Sequence, residues 1–450
     1  MTNGFPSGFT WGAATASYQV EGAVAADGRG PSIWDTFAHT PGRIADGTNG
    51  DVADDHYHRF AEDIRLLADL GLNAYRFSIA WPRIVPDGSG SVNAAGLDFY
   101  RRLAETCLAN GITPYATLYH WDLPQPLEDA GGWLVRDTAE RFRDYAAVTH
   151  DALSDVVKHW MTLNEPWCSA FLGYGNGEHA PGRTDGADAL KAVHHLMLGH
   201  GLALQAISSP ETTVGIALNP APVHAASDSE ADRDAARRAD GLRNRIFLDP
   251  LLLGKYPADV LEDTGMTEWF AQHEADLPVI SAPLDFIGVN YYCPETVAAP
   301  DGPISAPGTP STLPGSENLV AVDTGLDKTQ MGWPIDPGGL RGTLKMINDL
   351  APTLPLYVTE NGSAYPDEVT AEGRIEDTER QQYLEQHLEV TRQVVEEGLP
   401  LKGYFAWSLI DNFEWSWGFS RRFGLIHVDY STQERRLKNS ALWLRDFLES

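Results

Sequence analysis

The chain has 450 residues, 43% of them hydrophobic and 10% aromatic, and its 63 acidic against 33 basic side chains leave a net charge of −30. A field of that sign repels polyphosphates and acidic lipids, so it argues against nucleic acid and anionic membrane as partners and leaves small neutral molecules unhindered. Three irregularly spaced cysteines, Cys107, Cys168 and Cys293, do not suggest a disulfide framework. With no signal-like N-terminus and no apolar run near the roughly 18 residues of a membrane span, a cytoplasmic location is expected.

Along the chain, short apolar runs alternate with longer helical patterns. Strands are expected at Phe9–Ala14, Ala74–Ala80, Thr113–Tyr119, His159–Leu163, Val214–Leu218, Phe286–Tyr291, Leu356–Thr359 and Gly403–Leu409. Helical periodicity covers Asp51–Leu70, Ala94–Asn110, Thr138–Leu153, Ala187–Ile207, Ser229–Phe247, Gly338–Leu350 and Thr378–Glu397. Eight strands with crossover helices predict an α/β fold, a closed (β/α)8 barrel. With no repeat or linker, residues 1–450 read as one domain. Residues 294–337 break the alternation; rich in Pro, Gly and Ser, with Ala-Pro-Gly-Thr-Pro-Ser at 306–311, they are expected to form a long rim loop after strand six. Glu434–Glu449 reads as a closing amphipathic helix.

Functional groups of such barrels gather where strands run into the following loops. Here those positions carry Gln19 and Glu21 after strand one, Arg76 and Trp81 at strand two, and His120 and Trp121 after strand three. Asn164, Glu165 and Trp167 follow strand four, Asn290, Tyr291 and Tyr292 strand six, and Glu360, Asn361 and Gly362 strand seven. Trp407 lies on strand eight, with Glu414 and Trp415 in its loop. Amides, carboxylates and indoles suit a sugar, whose hydroxyls want bidentate partners and whose C–H face packs on aromatic rings.

Cleaving a glycosidic bond takes two carboxyl groups across the anomeric carbon, about 5–5.5 Å apart in a retaining enzyme. Glu165 and Glu360, on well-separated strands, can face each other across the barrel mouth. Arg76 is expected to keep Glu360 ionised, and nearby indoles and an amide to favour the acid form of Glu165.

Three segments carry a resemblance. Thr162–Trp167 reads Thr-Leu-Asn-Glu-Pro-Trp, Tyr357–Gly362 reads Tyr-Val-Thr-Glu-Asn-Gly, and Phe9–Gly22 reads Phe-Thr-Trp-Gly-Ala-Ala-Thr-Ala-Ser-Tyr-Gln-Val-Glu-Gly. In that order and at barrel spacing they resemble the acid/base, nucleophile and N-terminal signatures of glycoside hydrolase family 1, specifically its bacterial β-glucosidases. The resemblance runs from Phe9 to Leu448. It implies a retaining β-glucosidase acting on terminal β-D-glucosyl residues of cellobiose, short cello-oligosaccharides and aryl or alkyl glucosides, with Glu165 as acid/base and Glu360 as nucleophile. It further implies that Asn164 binds the 2-hydroxyl, that Tyr292 hydrogen-bonds Glu360, and that Gln19, His120, Trp121, Glu414 and Trp415 hold the glucose over Trp407. Phe423 would line the pocket near the 6-position, and Trp167, Cys168 and Trp333 the leaving-group side. Glu414 would repel a 6-phosphorylated sugar by like charge.

Transglycosylation uses the same residues, so it stays open beside hydrolysis. A non-catalytic sugar-binding protein would be favoured if either glutamate were replaced, and both are present. His194, His195 and His200 lack the spacing that puts two imidazoles on one helical face, so no metal and no cofactor are expected. Asp54–His58 reads as a solvated helix start, and the sequence leaves room for a homo-oligomer.

Overall fold

The computed structural model describes residues 4–302 and 309–450. Eight parallel strands close into a barrel: β1 Thr10–Ala14, β2 Ala74–Ser78, β3 Thr113–Tyr119, β4 His159–Asn164, β5 Thr213–Leu218, β6 Phe286–Asn290, β7 Leu356–Asn361 and β8 Leu401–Trp407. Each pairs with its sequence neighbours, and β1 closes the ring against β8. The expected α/β barrel is therefore present, with all eight strands within about two residues of their expected bounds.

The barrel is filled in layers, as its closure demands. Toward the N-terminal ends of the strands an aromatic plug forms: Tyr115 stacks on His159 at 4.3 Å, meets Phe405 at 5.0 Å and Tyr357 at 6.0 Å, and Tyr357 meets Phe286 at 5.3 Å. Gly12 admits this plug, because a Cβ there would lie 2.3 Å from the Phe405 ring. Above it the filling turns polar, with Arg76, Thr117, Asn164, Asn290 and Thr359 all buried. Register shifts fall at the C-terminal ends of β4 and β7, between Met161 and Asn164 and after Val358. Such irregularities re-aim side chains, and here they sit beneath Glu165 and Glu360.

The crossover helices include Ala94–Ala109, capped by Asn93, and Gly186–Ile207, whose first N–H groups are taken by the Asp185 carboxylate. The latter helix is buried on nearly every side. Its three histidines go to separate partners: His194 to Tyr256 and Asp276, His195 to the Trp133 carbonyl, His200 to Thr162 on β4. Among the described residues, no group of three His, Cys, Asp or Glu side chains could hold a metal. Among the described residues, no helix is long and apolar enough to cross a membrane.

Four expectations need correction. The helix over Ser229–Phe247 is broken: Glu230–Asp240 passes into a wide π-turn, Gly241–Arg245, before Ile246–Leu253 continues. Glu434–Glu449 is likewise two elements, a strand Glu434–Leu437 paired with Ile426–Asp429 and a helix Asn439–Glu449. Charge explains the split, because Arg435 is drawn to buried Asp63 at 2.9 Å and Lys438 to buried Asp411 at 2.6 Å. The segment 294–337 is not wholly loop: Glu295–Ala298 pairs with Val223–Ala225 and Val320–Ala321. Its residues 303–308 lie outside the described residues. Finally, Asp54–His58 is not solvated throughout, since Asp54 is fully buried and His56 is held by Asp63 at 2.7 Å.

Candidate active site

A cavity of about 320 Å³ opens at the C-terminal ends of the strands, walled by both Glu165 and Glu360. Glu360 ends up fixed from two sides. Arg76 Nη1 donates to its Oε1 at 2.7 Å and the Tyr292 hydroxyl donates to its Oε2 at 2.7 Å. Arg76 itself cannot swing, because its Nε donates to Thr117 and its Nη2 to Asn164 Oδ1 at 2.6 Å. Burial and the Glu360 charge push the Tyr292 phenol up, so it stays a donor.

Glu165 takes different partners. Asn290 Nδ2 donates to its Oε1 at 2.6 Å, and the Cys168 thiol donates to its Oε2 at 2.9 Å. Its backbone sits in the left-handed region with φ +44°, anchored by its N–H on the Ala217 carbonyl at 2.9 Å. Trp121 and Trp415 are left-handed too, with φ of +77° and +49°. Such a conformation costs of order 1–3 kcal/mol per bulky residue and persists only where surrounding contacts over-determine it.

Electrostatics here differ from expectation. Burial pushes the Glu360 carboxyl up; Arg76 opposes this, the Glu165 charge adds to it, and the result is about 7. Arg76 thus moderates the rise without cancelling it, because one guanidinium stands against both the burial of the carboxyl and the Glu165 charge. Glu414 is raised further, to about 8, by burial and then by the Glu360 and Glu165 charges. A carboxyl raised in this way carries less negative charge, which weakens the like-charge repulsion of a phosphate expected from Glu414.

Of the residues picked out from sequence, Glu165, Glu360, Tyr292, His120, Trp121, Trp407, Glu414, Trp415, Phe423, Trp167, Cys168 and Trp333 all line this cavity. Arg76, Asn164 and Gln19 stand behind its wall, fully buried. His120 receives an Asn164 Nδ2 hydrogen bond at Nε2 (3.0 Å), which leaves the proton on Nδ1, an atom with no partner among the described residues. Burial, then the Arg76 charge, push this imidazole well down, so it is neutral. Gln19 donates its Nε2 hydrogens to Asn412 and the Phe413 carbonyl, both at 2.9 Å, and more distantly to Glu414 Oε2 at 3.5 Å, while its Oε1 has no partner among the described residues. Trp121 contributes its ring alone, since its indole N–H is committed to the Asn164 carbonyl at 2.9 Å. That ring packs on Trp415 at 4.5 Å, and Trp415 packs on Trp34 at the same distance. Trp333, Tyr292 and Phe423, which also line the cavity, form a triangle of rings 5.2 to 6.1 Å apart.

Sequence reasoning passed over two contributors. Asn290 stood among the strand ends without a role, yet it bridges Glu165 and Asn164, and Thr359 donates to its Oδ1 at 2.6 Å. Arg243 lies over the Trp167 ring at 4.3 Å and reaches the cavity from the π-turn, which no periodicity announces. Conversely, Glu21 and Trp81 are structural: Glu21 binds Arg83 and Tyr100, and Trp81 stacks on Tyr145.

Two carboxyl groups with unlike donors, facing one cavity among rings and open hydrogen-bonding atoms, can perform acid-assisted displacement at a sugar's anomeric carbon. The family model for glycosyl hydrolase family 1 matches residues 1–450. The chain belongs to this family. It is 48% identical to a bifunctional beta-D-glucosidase/beta-D-fucosidase of Bifidobacterium breve, over 100% of this chain and 99% of that one. It is 49% identical to thermostable beta-glucosidase B of Thermobispora bispora, over 98% of this chain and 90% of the relative. Among solved structures, the psychrophilic beta-glucosidase of Micrococcus antarcticus superposes with a TM-score of 0.94 at 46% identity, covering 99% of this chain and 97% of that one.

Proposed function

We propose that this protein is a retaining β-glucosidase, releasing terminal β-D-glucosyl residues from cellobiose, short cello-oligosaccharides and aryl or alkyl β-glucosides. The observation that carries this reading is the asymmetry of the two glutamates. Glu360 faces a cation and a phenol, both suited to an anion that attacks; Glu165 faces an amide and a thiol. In the first step Glu360 attacks the anomeric carbon while Glu165 gives its proton to the departing oxygen. In the second, Glu165 takes a proton from water, which attacks the same carbon and frees Glu360. The names of family relatives support glucose as the sugar released.

The remaining groups then divide the substrate. Trp407 and Trp415 offer ring surface, while His120 Nδ1–H, Gln19 Oε1 and Glu414 serve the outer hydroxyls. Asn164 has a second Nδ2 hydrogen for the 2-hydroxyl, and Trp167, Cys168 and Trp333 flank the leaving group. In this reading residues 1–450 act as one catalytic domain with no cofactor. A second substrate, the β-D-fucoside, is favoured by apolar Phe423 in the wall, which suits a sugar lacking its 6-hydroxyl, and by the Bifidobacterium relative's name.

Replacing the nucleophile tests the proposal. Glu360→Gly loses hydrolysis of aryl β-glucosides, and added azide restores turnover as the α-glucosyl azide. Near-native activity without azide would rule out Glu360 as nucleophile.

A further inference from the structure

Glu165 must carry a proton in one step and accept one in the next, so the oxygen that carries it needs a partner that tolerates the change. Oε1 has no such partner. Thr359 donates to Asn290 Oδ1 at 2.6 Å, which fixes the amide with Nδ2 toward Glu165, and that N–H donates to Oε1 at 2.6 Å. An amide N–H can only donate, so Oε1 stays an acceptor in both states. The moving proton is left to Oε2, whose partner among the described residues is the Cys168 sulfur at 2.9 Å.

A thiol can donate through S–H or accept through sulfur. Cys168 stays a thiol, because burial and the neighbouring Glu165 charge push its ionisation well up. Asn219 Nδ2 also donates to Sγ, at 3.5 Å. We infer that Cys168 is the positioning residue of the acid/base. Its S–H donates to Oε2 while Glu165 is ionised, and its sulfur receives the Oε2 proton while Glu165 is the acid. The inference rests on Glu165 being the proton carrier proposed above.

The test compares Cys168→Ala and Cys168→Ser in pH profiles of kcat/KM, whose basic limb reports the acid of the free enzyme. Loss of a donor to the ionised form raises an acid's pKa. Cys168→Ala therefore moves the basic limb up by about half to one pH unit, the reach of a weak charge-assisted hydrogen bond. It also slows kcat several-fold on 2,4-dinitrophenyl β-glucoside, where Glu165 must act as base. Cys168→Ser, which keeps a group that both donates and accepts, restores the limb to within about 0.3 unit and recovers kcat. An unmoved limb in Cys168→Ala, or a limb equally displaced in Cys168→Ser, would overturn the inference and leave the thiol as filling. Glu165→Gln in the same assays separates the two levels. If it collapses on poor leaving groups while Cys168→Ala is silent, only the thiol's role fails; if it does not collapse, the acid/base reading fails too.

Discussion

Arg76 on β2 and Glu360 on β7 are three strands apart around the barrel, yet their side chains meet inside it at 2.7 Å, both almost fully buried. The pair makes the site a single electrostatic unit: Arg76 Nη2 also holds Asn164, the neighbour of the second glutamate.

Removing the cation should therefore hurt both carboxyl groups. Arg76→Met is expected to lower kcat/KM about 10²–10³-fold, the usual cost of losing one preorganised charge-stabilising donor. It should also move the acidic limb upward, because the opposite charge that restrains Glu360 is gone. Steady-state kinetics across pH on an aryl β-glucoside checks both; an unchanged limb would mean that Arg76 serves packing alone.

The nucleophile works ionised, and its carboxyl is pushed up to about 7 by burial, so activity should fall as pH drops through that region. This places the acidic limb above the ordinary glutamate range. The Glu165 charge contributes to the rise, so Glu165→Gln should bring the limb down. A substrate with a dinitrophenolate leaving group, which needs little acid assistance, keeps this variant measurable. An upward shift would contradict the electrostatic account.

Behind the β8 loop lies a buried ion cluster. Lys438 contacts Asp367 and Asp411, Arg380 contacts Asp367 and Asp377, and Arg422 contacts Asp411. Lys438→Met leaves two buried carboxylates short of a cation and is expected to cost about 3–5 kcal/mol. Urea unfolding should show it as a lower midpoint. Because Asp411 lies three residues from Glu414, KM should rise with it; a variant as stable as the parent would mean that Arg380 and Arg422 suffice.

What the sequence disclosed follows from the nature of each signal. Strand ends were readable because a barrel puts chemistry there, and Glu165, Glu360, Tyr292, Trp121, Trp407 and Trp415 came from that rule, whereas Trp333 and Phe423 came only from the family resemblance. Arg243 was hidden because a π-turn has no period to detect, and Asn290 because an amide beside Tyr291 and Tyr292 looks like packing until Thr359 is seen to orient it. The helix over Glu434–Glu449 failed for a tertiary reason: Arg435 and Lys438 are drawn into ion pairs with Asp63 and Asp411, and local periodicity says nothing of those partners. The upward push on the Glu360 and Glu414 carboxyls was not legible, since burial depth, its largest cause, does not show in one dimension.

The central claim is that Glu360 attacks one face of the anomeric carbon and water later displaces it from the opposite face, so the β configuration is retained. The most direct measurement is proton NMR of the sugar first released from an aryl β-glucoside, read before mutarotation. The account predicts β-glucose, with the α-anomer growing in slowly. α-Glucose appearing first would contradict it, because it would mean that water attacks directly and the two glutamates serve a single displacement.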